Sequence, residues 1–146
     1  MNSKISVMPE GFHTATPYLI VEGAALLIDF LTRAFDAEEI ERMQRPDGKI
    51  AHAEVKIGNS VIMMGDAGSQ WKPMPGFIYL YVKDTDAAYN RALQAGAVSV
   101  MEPADQFYGD RNAGVRDPVG DIWWIATHKE DVSPEEMKKR AAARMQ

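Results

Sequence analysis

Cysteine is missing from all 146 residues. Its absence excludes a disulfide framework, thiolate catalysis and Cys-ligated zinc or iron–sulfur centres, and it fits a cytoplasmic protein. Long apolar runs are missing too. The most apolar stretch, Ala24 to Phe35, is broken by Asp29, Thr32 and Arg33, so no membrane span is expected. Residues 1–10 lack the apolar segment of a signal peptide, and no Asn-x-Ser/Thr sequon occurs. Positive charge is in deficit: 16 Lys and Arg against 21 Asp and Glu leave a net −5. That balance opposes nucleic acid as a partner, because phosphate binding needs a basic surface. The patterns GxxxxGKS/T, GxGxxG, HExxH and GxSxG are also absent, which removes phosphate loops, zinc-protease helices and nucleophile elbows from consideration.

What is present suits one folded domain. Hydrophobic residues make up 46% and charged residues 25%, enough for a core and too balanced for disorder. Thr16–Val21 (TPYLIV) reads as a strand. Ala24, Leu27, Ile28, Leu31 and Phe35 then share one helical face, and Asp36 sits where a left-handed residue ends a helix. Glu39–Arg45 reads as a strand, Arg45–Lys49 as a Pro-Asp-Gly turn, and Ile50–Ile57 as a strand that alternates strictly. Ile50, His52, Glu54 and Lys56 fall on one face of it, Ala51, Ala53, Val55 and Ile57 on the other. Gly58 and Asn59 turn the chain into a strand at Val61–Met64.

After a Gly- and Pro-rich connector the pattern returns. Phe77–Val82 reads as a strand, a helix capped within Asp84–Asp86 runs to about Ala95, and strands follow at Ala97–Met101, Gln106–Val115 and Asp121–Thr127. Landmarks of the two halves, such as Val21 and Val82 or Gly58 and Gly120, repeat at an offset of 60 to 62 residues, the mark of a duplicated unit. Ser133, Pro134 and Glu136 open a last helix, whose Lys and Arg run reads as a solvated face. The expected organisation is an extension at 1–15, modules at 16–66 and 76–128 joined by a linker at 67–75, and a C-terminal helix within 129–146.

The segments TPYLIV (16–21), PDGKIAHAE (46–54), DQFYGDR (105–111), DPVG (117–120) and ATHKEDVSPEE (126–136) resemble the vicinal oxygen chelate superfamily of glyoxalases, bleomycin-resistance proteins and dioxygenases, and within it the PhnB-like branch. The resemblance implies an α+β fold of two tandem βαβββ modules whose sheets form a cup, in a chain that pairs as a homodimer with pockets at or near the shared surface. It also implies metal ligands on the first and last strand of each module. Those positions fall on Thr16, Ile62, Phe77 and Trp124, which offer no proper ligand. No cofactor is therefore expected, and the implied partner is a small apolar or aromatic ligand.

Alternation places Phe77, Tyr79 and Tyr81 on one face, toward the cup with Thr16, Tyr18, Ile20 and Trp124, and Met63 or Met64 adds a soft wall. Arg116, aligned with Glu54 across the duplication, is the candidate for an anionic group. Arg111 is read as support for Asp110 or Asp117. His52 and Glu54, two apart on one strand, form the candidate catalytic pair. They position a ligand, work as acid and base, or hold a divalent metal with a third ligand from elsewhere. The last of these would make a metal-dependent lyase, isomerase or dioxygenase. His13 and His128 are assigned to a mobile end and to a structural hydrogen bond.

Overall fold

The computed structural model describes residues 4–145. These form β1 (Tyr18–Val21), α1 (Ala24–Phe35), β2 (Glu38–Gln44), β3 (Ile50–Ile57), β4 (Ser60–Asp66), β5 (Phe77–Tyr81), α2 (Thr85–Gln94), β6 (Val98–Asp105), β7 (Asp110–Arg116), β8 (Ile122–His128) and α3 (Pro134–Arg144). The strands build two four-stranded mixed sheets, ordered β1-β4-β3-β2 and β5-β8-β7-β6. In each, the first strand runs parallel to the last and the remaining neighbours are antiparallel. The expected α+β fold of two βαβββ modules with a C-terminal helix is the observed one. No helix among the described residues is long and apolar enough to cross a membrane.

The duplication is visible in the pairing. Tyr18 pairs Met63 as Tyr79 pairs Trp124, and Glu54 pairs Met63 as Gly114 pairs Trp124. Between these equivalent pairs the β7–β8 hairpin thus holds one residue more than the β3–β4 hairpin. A single offset of 62 therefore misplaces two residues. The partner of Trp124 in the first module is Met63, not Ile62, which is buried in the core. The counterpart of Glu54 is Gly114, not Arg116.

One core serves both modules. The apolar faces of α1 and α2 meet the inner faces of both sheets, from Leu19, Val55 and Met64 to Val115, Trp123 and Ile125. Phe35 of α1 packs against Trp123 of β8 with ring centroids 5.8 Å apart. Asp36 ends α1 in the left-handed region at φ 56°. Asp84 caps α2 by accepting from the Ala87 N–H at 3.1 Å, and Ser133 caps α3 by accepting from the Glu136 N–H at 3.1 Å. The N-cap of α1 is Gly23, with no side chain to offer. Asp66, at the end of β4, replaces it: Oδ1 accepts from the Gly23 and Ala24 N–H groups, both at 2.9 Å.

Three expectations need correction. Ile50 is buried rather than sharing the open face of His52 and Glu54, because the pairing of β2 with β3 slips between Met43 and Gln44. Its N–H then reaches Asp66 Oδ2 at 2.7 Å. Residues 106–109 are a turn rather than the start of a strand, closed by the Gly109 N–H on the Gln106 carbonyl. Strand β4 continues to Asp66, two residues beyond the expected end. The connector that follows is tied to the sheet edge, with the Met74 N–H donating to the Ile20 carbonyl at 2.8 Å.

Candidate functional site

Each sheet has one face covered by helices and one left open, and strand alternation decides what the open face shows. On the first sheet, β1, β3 and β4 bring Tyr18, His52, Glu54 and Met63 side by side. Tyr18 Oη lies 3.2 Å from His52 Nδ1, and His52 Nε2 lies 2.9 Å from Glu54 Oε2. The His52–Glu54 pair read from the sequence is thus in hydrogen-bond contact, with Tyr18 as a third member. Glu41 of β2 lies directly across from Glu54 in the strand register. One ligand atom each from Glu41, His52 and Glu54 falls within 4.8 Å of the others. The sequence reading missed Glu41.

The second sheet repeats the layout with different chemistry. Asn112 stands where His52 does, and its Nδ2 donates to Tyr79 Oη at 3.0 Å and to Tyr108 Oη at 2.7 Å. At Gly114, the counterpart of Glu54, a β-carbon would collide with the ring of Trp124. Trp124 occupies that space and stacks on Phe77, with centroids 5.7 Å apart and planes 22° from parallel. Tyr79 and Tyr81 donate to Asp110 Oδ2 at 2.7 and 3.0 Å, and His128 Nδ1 meets Asp110 Oδ1 at 2.8 Å.

Burial pushes the Asp110 carboxyl up, but the His128 and tyrosine donors outweigh it and hold it below the usual range. Its charge in turn acts on its partners. Burial, then Asp110, raises Tyr79, and the hydrogen bond to Asp110 raises Tyr81. Asp110, helped by Asp131, raises His128. The tyrosine hydroxyls are therefore engaged with the protein, while the rings remain available. Phe77 is 64% exposed, Tyr81 65% and Tyr18 47%.

The other residues named from the sequence are distributed as follows. Thr16 precedes β1, and its hydroxyl donates to the His13 carbonyl at 3.3 Å. Arg116 is exposed at the end of β7, on the parity of Asn112 and Gly114. Arg111 holds Asp86 through Nε at 3.0 Å and Asp105 through Nη1 at 3.2 Å, not Asp110 or Asp117. In α3, Arg140 pairs with Glu130 and Glu136.

Beside Tyr18 a cavity of about 460 Å³ is lined by Tyr18, Ile20, Arg45, Ala51, Gly65, Asp66 and Trp71. Arg45 and Trp71 were not singled out from the sequence. Trp71 lies in the connector, which reads as a mere linker until its bond to Ile20 folds it back. A larger cavity of about 660 Å³ lies away from His52, between the end of α1 and β5, and shares Tyr79 and Tyr81 with the open face.

Comparison with known proteins agrees with this architecture. The family model described as Glyoxalase/Bleomycin resistance protein/Dioxygenase superfamily matches residues 12–125. The chain is 38% identical over 134 residues to an uncharacterised protein of Mycobacterium bovis, covering 84% of this chain and 88% of that one. Among solved structures it is similar to TioX from Micromonospora sp. ML1, at a TM-score of 0.67 and 26% identity over 77% of this chain and 96% of that one. It also shares its fold with a PhnB protein from Bacillus cereus, at a TM-score of 0.64 and 17% identity over 79% of this chain and 99% of the other. The chain belongs to the glyoxalase/bleomycin resistance protein/dioxygenase superfamily.

Proposed function

We propose that this protein binds a small, flat, apolar or aromatic ligand against its open sheet faces, in a cup completed by a second copy of the chain. The observation that carries this reading is the aromatic surface on the open face of the second sheet. There exposed Phe77 stacks on half-buried Trp124, with Tyr79 and Tyr81 beside them. Contiguous exposed rings of this kind mark ligand or partner sites, and a planar ligand extends such a stack naturally. The hydrogen bonds of Tyr79 and Tyr81 to Asp110 fix ring orientation in advance, which lowers the ordering cost of binding.

The layout supports the second copy. The helix-covered faces of both sheets meet in one core, so the open faces point away from it and from each other. A cup using one face of each kind takes the first sheet from one chain and the second sheet from its partner. The run DQFYGDR (105–111) supports a place in the PhnB-like branch.

The metal held by enzymes of this superfamily does not fit its usual positions here. Tyr18 and Met63 stand on the first and last strands of module one, and Phe77, Tyr79 and Trp124 on those of module two. None is a usual ligand for a divalent cation.

A thermal-stability screen of planar aromatic compounds tests the reading. A true ligand at a hundredfold excess over its Kd stabilises by about 2.7 kcal/mol. Trp124→Ala is expected to weaken that ligand at least about tenfold. Hits that bind Trp124→Ala and Phe77→Ala as well as the parent protein would refute the site.

A further inference from the structure

We propose that Glu41, His52 and Glu54 form a divalent-cation site on the open face of the first sheet, with Tyr18 as its positioning residue. The three ligands come from the adjacent strands β2 and β3, so the backbone ladder fixes their spacing. Their ligand atoms lie within 4.8 Å of one another, close enough for one ion to contact all three. Glu54, only 12% exposed at the side chain, is held by His52 Nε2. Tyr18 Oη engages Nδ1 of the same ring and so turns Nε2 toward the carboxylates. An imidazole anchored through one nitrogen and aimed through the other is the usual arrangement of a metal-bound histidine.

Electrostatics give the second argument. Glu41 and Glu54 are like charges directly opposite each other in the strand register, an unfavourable pairing. Among the described residues neither carboxylate forms an ion pair with lysine or arginine; the one basic group between them is His52. A divalent ion relieves that repulsion. One imidazole nitrogen and two carboxylates suit a first-row divalent ion such as Zn²⁺ or Co²⁺. Three protein ligands leave coordination positions open toward the cup. These strands are not the first and last strands to which the family resemblance assigns ligands. The site shares Tyr18 and the open face of the first sheet with the proposed cup, but metal binding is read without an aromatic ligand, so either proposal can fail alone.

The test uses the full chain, stripped with chelator and titrated calorimetrically with Zn²⁺ and, separately, Co²⁺ at neutral pH. The expected result is one ion per chain. Glu41→Gln weakens binding at least about tenfold, His52→Ala abolishes saturable binding, and Tyr18→Phe weakens it about tenfold without changing the stoichiometry. Glu41 is exposed, so Glu41→Gln keeps the fold. With the repulsion gone, its metal-free Tm equals or exceeds that of the parent protein. Binding unchanged in Glu41→Gln and His52→Ala, or no saturable binding below about 1 mM, overturns the proposal.

Discussion

Replacing Asp66 with alanine is expected to lower the unfolding free energy by about 4 kcal/mol and Tm by roughly 8–16 °C. The carboxylate accepts from three backbone N–H groups, those of Gly23, Ala24 and Ile50. Ala24 and Ile50 are buried, so water does not replace the lost acceptor, and each orphaned donor costs about 1–3 kcal/mol. Asp66 also places a negative charge at the positive end of α1. Burial pushes its carboxyl up, but the three donors and Arg45 more than offset that and leave it below the ordinary value. The group is thus more acidic folded than unfolded. Its contribution is present above an unfolded pKa of about 3.9 and is lost as pH falls through the folded value. Melting curves of both proteins should therefore diverge at neutral pH and converge in acid. A shift below about 1 kcal/mol at pH 7 would mean that α1 does not depend on this cap.

Asp121→Asn should have the opposite sign, a gain of about 2 kcal/mol at pH 8 and of about 4–8 °C in Tm. Asp121 is fully buried. Its Oδ1 accepts from the Gly76 N–H at 2.8 Å, while Oδ2 receives no donor. Neighbouring Asp117 already accepts from the Val119 and Asp121 N–H groups and from Trp123 Nε1. Burial, and then Asp117, push the Asp121 carboxyl up to about 7. A raised folded pKa stabilises below the unfolded value and is lost as pH rises through about 7. An amide keeps both the acceptor for Gly76 and a donor toward Asp117 without that loss. The gain should fade on acidification toward pH 4. Equal melting of the two proteins at pH 8 would remove the argument.

Periodicity carried most of the fold. Alternation in Phe77–Tyr81 and the helical stripe from Ala24 to Phe35 each name a buried face, and two copies of one pattern name the architecture. Register was harder. Counting outward from a two-residue turn at Asp47 and Gly48 pairs Glu41 with Glu54, the pairing observed. The hairpin reaches it differently, through a wider loop closed by the Arg45 N–H on the Lys49 carbonyl, followed by a bulge that restores the count. Across the second hairpin the register offset is 60 residues at Glu54 and 61 at Met63, so an offset of 62 taken from the turn glycines Gly58 and Gly120 moves the counterpart of Glu54 from Gly114 to Arg116.

Long-range side-chain partners left no local signal. Asp66 caps a helix that begins 42 residues earlier in the chain, and Asp110 of β7 gathers two tyrosines from β5 and His128 from β8. Alternation says which way a ring points; it is silent about what its hydroxyl meets.

The proposed two-chain cup is tested most directly by complementation. Tyr18→Ala damages only the open face of the first sheet, and Trp124→Ala only that of the second. Each variant alone should bind an aromatic probe such as anilinonaphthalene sulfonate at least about tenfold more weakly than the parent protein. Mixed and allowed to exchange subunits, the two should regain parent-like affinity at a fraction of the sites. In a mixed pair, one cup combines the intact first sheet of one chain with the intact second sheet of its partner. A mixture that binds only as the average of its two components would contradict a cup built from two chains.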